Sequence, residues 1–157
     1  MKDIEALLLK RGVTKDDIVE CVYFLQEQYF EHLDKSRIIH YVDSVLNKRE
    51  VQHAIATGIA IDMATEQRTF GSKELQDIIL NDEGLYGVDE VLAYGICNLY
   101  GSIALTNFGY IDKIKPGIIG KLNDDHITQC NTFLDDIVGA VAAAAASKLA
   151  HDRENMI

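Results

Sequence analysis

A single proline, Pro116, punctuates a chain of 157 residues. Proline is the residue that most sharply breaks a helix, because it lacks the N–H and its ring clashes with the preceding turn. Elsewhere nothing of that kind stops a helix. Strict alternation of β-branched residues, the mark of a half-buried strand, is hard to find. The expected fold is therefore all-α: one helical bundle spanning residues 1–157, without repeat or linker.

The apolar spacing agrees. Ile4, Leu7, Leu8 and Leu9 mark a first helix closed by Gly12. Thr14, with Asp17 three residues later, caps a second over roughly 15–32, whose Ile18, Cys21, Val22, Leu25 and Tyr29 recur every three or four positions. Ser36 is expected to cap a third. From Val51 to Glu66, Ala54, Ala56, Gly58, Ala60 and Ala64 are small enough for neighbouring helices to come close, so this segment is expected at the centre of the bundle. A short helix over Leu75–Leu80, a polar loop over Asn81–Gly87 and a helix over Asp89–Tyr100 follow. Gly101–Lys115 fits helix or extended chain equally. Pro116 suits the first position of a short helix, and Asn131 or Thr132 the cap of a last one reaching His151. Its run Ala142–Ala146 reads as a close-packing face.

Charge narrows function. Fifteen Lys and Arg against 25 Asp and Glu leave a net −10, which excludes broad binding to nucleic-acid backbones and bulk attraction to anionic lipid. The longest weakly polar run, Ile137–Ser147, falls short of the ~20 residues of a membrane span. Acids within Met1–Glu5 argue against a signal peptide, and Cys21, Cys97 and Cys130 show neither redox nor zinc spacing. They read as reduced, buried thiols of a cytoplasmic protein. His53 is expected to be partly buried and hydrogen-bonded, and His32, His40, His126 and His151 to lie on the surface. No serine-hydrolase elbow, phosphate-binding P-loop or HExxH zinc motif occurs.

The unusual feature is acid in apolar surroundings. Asp62 and Glu66 share one helical face; Asp89-Glu90 and Asp135-Asp136 each interrupt a hydrophobic run, and Asp112 adds a further carboxylate. Desolvated carboxylates need a cation or a proton. Oxygen donors without nearby Cys or His suit Mg²⁺, with Mn²⁺ as an alternative, and helical bundles assemble such sites from facing helices. Lys115, three residues after Asp112, is placed to bind phosphate beside the helix opened by Pro116. Each acid also suits a plain structural role. Asp89 and Glu90 can open a helix, Asp135 and Asp136 can complement a dipole, Asp62 and Glu66 can line a wet stripe, and Asp112 with Lys115 can form a surface ion pair. Periodicity leaves both readings open.

Three stretches, Leu85-Tyr86-Gly87-Val88-Asp89-Glu90-Val91, Asp112-Lys113-Ile114-Lys115-Pro116 and Leu134-Asp135-Asp136-Ile137-Val138-Gly139-Ala140, resemble in order and spacing the phosphatidylglycerophosphatase A family. The likeness covers roughly residues 50–150 and is nearest its soluble, low-temperature-requirement C branch. Membrane members carry arginine where this chain has Gly109 and an aromatic residue where it has Gly117. The resemblance implies a Mg²⁺-dependent phosphatase acting on phosphatidylglycerophosphate at a membrane surface, or on another lipid-linked or small phosphate monoester. Asp89, Lys115 and Asp136 would be catalytic, with Asp62, Glu66, Asp89, Glu90, Asp112, Asp135 and Asp136 around the metal. A homo-oligomer is expected. The alternatives are a non-catalytic helical oligomer binding metal or phosphate, and hydrolysis of nucleotide pyrophosphates.

Overall fold

The structure, a computed structural model, describes residues 3–155; Met1 and Lys2, used in the signal-peptide reading, and the last two positions of the 1–157 domain lie outside the described residues. Among the described residues there are nine α-helices and no strand. They are α1 (Ile4–Lys10), α2 (Lys15–Gln26), α3 (Lys35–Leu46), α4 (Arg49–Glu66), α5 (Lys73–Leu80), α6 (Val88–Asn98), α7 (Ser102–Ile114), α8 (Ile118–Asp124) and α9 (Leu134–Asn155). None is long and apolar enough to cross a membrane.

Helix ends follow local chemistry. Thr14 and Asp17 form the expected capping box on α2, which ends at Gln26 in a short 3₁₀ turn over Glu27–Tyr29. The cap of α3 is Asp34 rather than Ser36: the Asp34 carboxylate accepts the Ser36 N–H at 3.0 Å. Ser36 already lies inside the first turn, where its own N–H is one of the free donors that a cap satisfies. The ambiguous stretch 101–115 is helical, opening after Gly101. Pro116 lies in the corner between α7 and α8 instead of opening α8, because Lys115 takes a left-handed conformation and Gly117, also at positive φ, is the residue before the helix.

The helix at the centre is α9, not α4. It packs against α2, α3, α4, α6, α7 and α8, and every residue from Phe133 to Ala146 is buried. Alanine side chains let helix axes approach from all sides, so the run Ala142–Ala146 can be enclosed completely. α4 leaves His53, Thr57 and Ala60 exposed, and His53 is thus a surface residue like the other four histidines. Where α4 meets α9, Gly58 is required: a Cβ there would stand 2.1 Å from Ile137 Cδ1 and 3.2 Å from Phe133 Cβ. The three cysteines are free and buried.

Candidate functional site

An α-helix begins with backbone N–H groups that have no partner within the helix. At the start of α9 they are met from another element. Asp62 on α4, fully buried, accepts the Phe133 N–H at 3.0 Å and the Leu134 N–H at 3.0 Å. Burial pushes its carboxyl up to about 7, against the pull of these donors and of Arg11. Asn131 and Thr132, expected as caps, are turned elsewhere: their side chains donate to the carbonyls of Leu122 and Ile79.

One turn along α4, Glu66 takes a bidentate bond from Arg11 at 2.8 and 3.0 Å and accepts the Cys130 N–H at 2.8 Å. Arg11 also donates to the Cys130 carbonyl. The two Arg11 bonds hold the Glu66 carboxyl below its ordinary range. Asp62 and Glu66, expected in a metal shell, are therefore engaged as anchors of the segment Cys130–Leu134. Their oxygens face N–H donors, and the charge of Glu66 is balanced by Arg11.

Anchored in this way, the first turn of α9 presents Asp135 and Asp136, which are only 4% and 5% exposed. Asp136 meets the carboxyls of Asp112 from the end of α7 and Asp89 from the start of α6. Asp135 faces Lys115, whose Nζ lies 3.5 Å from Asp135 Oδ2 and 2.9 Å from Asp112 Oδ1. Three helix ends thus bring together four of the expected acids and the expected lysine. Glu90 does not join them; it is exposed, about 100° round α6 from Asp89, near Tyr94.

The electrostatics are lopsided. Burial pushes the carboxyls of Asp135 and Asp136 up, and at Asp136 the neighbouring Asp135, Asp112 and Asp89 push further. Burial disfavours the Lys115 charge, yet its bond to Asp112 and the fields of Asp135 and Asp136 leave it held above its ordinary value. Lys115 reaches them from a left-handed backbone, φ +53°, a conformation a β-carbon disfavours. Gly120 on α8 packs against this corner, where a Cβ would come 2.7 Å from the Lys115 carbonyl.

Sequence reading missed Asp82. It follows α5, adopts φ +48°, and its carboxyl is raised by burial and by Asp89 while His126 and Lys115 pull it down. Within Asn81-Asp82-Glu83-Gly84 it resembles an ordinary helix stop. The available signal was that Asp is among the few residues tolerated in the left-handed region.

Among the described residues, no group of three or more His, Cys, Asp or Glu side chains stands at closed metal-shell spacing. The donor chemistry nevertheless fits a hard divalent ion: carboxylate oxygens without sulfur, and more negative charge than Lys115 balances.

Comparison with known proteins bears on this geometry. A family model described as phosphatidylglycerophosphatase A matches residues 16–151. The chain is 55% identical over 146 residues to the uncharacterized protein YutG of Bacillus subtilis (strain 168), covering 93% of this chain and 87% of that one. It is 49% identical over 150 residues to YpjQ of the same organism, covering 96% and 84%. The crystal structure of low temperature requirement C protein from Listeria monocytogenes is similar at a TM-score of 0.91 and 54% identity, covering 97% of this chain and 95% of that one. A protein of unknown function from Bacillus stearothermophilus matches at a TM-score of 0.92 and 55% identity, covering 96% and 93%.

Proposed function

The chain belongs to the phosphatidylglycerophosphatase A family, and on that premise we propose that it is a Mg²⁺-dependent phosphomonoesterase acting on the terminal phosphate of a lipid-linked ester such as phosphatidylglycerophosphate. The observation that carries the reading is the meeting of Asp89, Asp112, Asp135 and Asp136 from three helix ends beside a single lysine.

Those four acids would hold the divalent ion, Mg²⁺ or Mn²⁺, which when bound supplies positive charge against phosphate oxygens and makes water more acidic. The chain's own residues do the rest. Lys115 Nζ donates to a non-bridging phosphoryl oxygen and offsets charge gathering there. Asp112, 2.9 Å from that amine, orients it, and Asp135 keeps it ionised. Asp82 borders the same space. The α4 anchors Asp62 and Glu66 act at one remove, by fixing where α9 starts.

The test is phosphate release from phosphatidylglycerophosphate and from a panel of soluble monoesters, with Mg²⁺ present. Wild type releases orthophosphate, whereas Asp89→Asn, Asp136→Asn and Lys115→Ala each lose roughly 10²-fold or more in kcat. Release of pyrophosphate from nucleotides instead would redirect the assignment. A second reading, a metal- or phosphate-binding helical oligomer without turnover, is favoured by Gly109, which offers no side chain to clamp a phosphate beside Asp112. It predicts metal-dependent melting with no product from any ester.

A further inference from the structure

Helix α6 turns an apolar stripe to solvent. Of its exposed residues from Val88 to Leu99, which include Val91, Tyr94 and Gly95, only Glu90 carries a charge. Beside the stripe, between α6 and α4, runs a groove lined by Thr57, Ile61, Val88, Val91, Leu92 and Leu99 among others. Gly95 sits at its middle, where a Cβ would meet nothing within 4 Å. Glycine inside a helix is destabilising relative to alanine, and its use there is to let another backbone come close. The packing of this chain makes no such use of Gly95. Val91 and Leu99 stand four residues before and after it, each turned about 40° from it on opposite sides.

The two ends of α6 differ in charge. It starts with Asp89 and Glu90, and Asp89 is close enough to Asp82 to act on it. Its other end lies near the start of α4, since the Tyr100 hydroxyl is raised by burial and by Glu50. Lys48 and Arg49, both exposed, directly precede Glu50, and Lys148 Nζ stands 5.9 Å over the Tyr100 ring. Three cations there outnumber the one acid.

We propose that this face binds a second copy of the chain, with the two α6 helices crossing antiparallel at Gly95 about a twofold axis. In that register Val91 meets Leu99 of the partner subunit, Leu99 meets the partner's Val91, and the acidic start of each α6 faces the basic end of the other. One rotation thus satisfies the apolar spacing, the glycine and the charge together, as an interface between identical surfaces requires. That match selects a second copy over a lipid surface or an unrelated protein, for which neither the symmetry about Gly95 nor the opposed charges would be needed. The inference does not depend on the phosphatase reading.

The experiment is sedimentation velocity of the full chain over a range of concentrations, with a cysteine pair to test the register. Wild type sediments at no less than twice 17.5 kDa. Val91→Glu halves the sedimenting mass with its helical circular dichroism unchanged. Gly95→Ala, which favours the helix itself, raises the dissociation constant at least about tenfold. The double variant Val91→Cys, Leu99→Cys places its two thiols about 12 Å apart along one helix, too far to pair within a chain. On oxidation it gives a covalent dimer, which neither single variant does. A monomeric wild type overturns the proposal, whether or not it floats with vesicles. An oligomer that survives Val91→Glu, or a double cysteine variant that stays uncrosslinked, overturns it too.

Discussion

Replacing Gly58 with alanine tests whether the closeness of α4 and α9 is what sets the first turn of α9. The new Cβ would sit 2.1 Å from Ile137 Cδ1, 3.2 Å from Phe133 Cβ and 3.4 Å from Leu92 Cδ2. The Ile137 methyl can rotate, but it is fully enclosed, and Phe133 Cβ moves only with its backbone. Overpacking of this kind costs about 1–3 kcal/mol, against which Gly→Ala within a helix returns about 1 kcal/mol. A net loss of up to about 2 kcal/mol lowers Tm by up to about 8 °C in a chain of this size. Gly139→Ala is the control. Its Cβ would meet Ile111, Phe108 and Ile119 at 3.5–3.7 Å, ordinary contact, so the propensity gain should survive and Tm should rise by about 2–4 °C. Because Ile137 follows Asp136 directly, Gly58→Ala should also weaken the Mg²⁺-induced rise in Tm, whereas Gly139→Ala should leave it intact. Thermal melting with and without Mg²⁺ reads both. Equal melting of the two variants would refute the argument that α4 clamps the start of α9.

Asp62→Ala strands two buried N–H groups at the start of α9 and should cost about 2–5 kcal/mol by denaturant titration. The variant should nonetheless retain a Mg²⁺-induced Tm shift, and loss of that shift in a variant that still folds would return Asp62 to the metal shell. Glu66 is held below its ordinary value by Arg11, so it contributes stability above the unfolded pKa of about 4.3 that disappears as pH falls through the lower folded value. The Tm gap between wild type and Glu66→Gln should accordingly be full at neutral pH and close below about pH 4; a gap independent of pH would contradict the ion-pair assignment. Gly109→Arg adds a guanidinium one turn before Asp112, with no atom within 4 Å of the new Cβ. It should lower KM for the phosphate ester without loss of Tm, and an unchanged KM would remove α7 from the phosphate side of the site.

Much of this was legible because local rules apply locally. The Thr14–Asp17 box, the short helix after Ser72 and the acid pairs at helix starts follow from neighbours within four residues. The central position of α9 was not legible from its own pattern. An alanine run looks the same whether one face or every face is covered, and only the packing of six helices decides. The partners of Asp62 and Glu66 were not legible for a related reason. Acids on an apolar helix do signal burial with a compensating partner, but the partner can be a metal, an arginine 55 positions away or the N–H groups of a helix 71 positions on. Sequence spacing does not choose among them. Asp82 was lost because a turn residue and a site residue share one local signature.

In the proposed site, Asp89, Asp112, Asp135 and Asp136 close around one divalent ion. Crystals grown with Mn²⁺ and measured for its anomalous scattering test this directly. A single strong peak within ligand distance of carboxylates from α6, α7 and α9, with Lys115 facing it, is the predicted result. Absence of a peak there at saturating Mn²⁺, or a peak held by Asp62 and Glu66, would contradict the account.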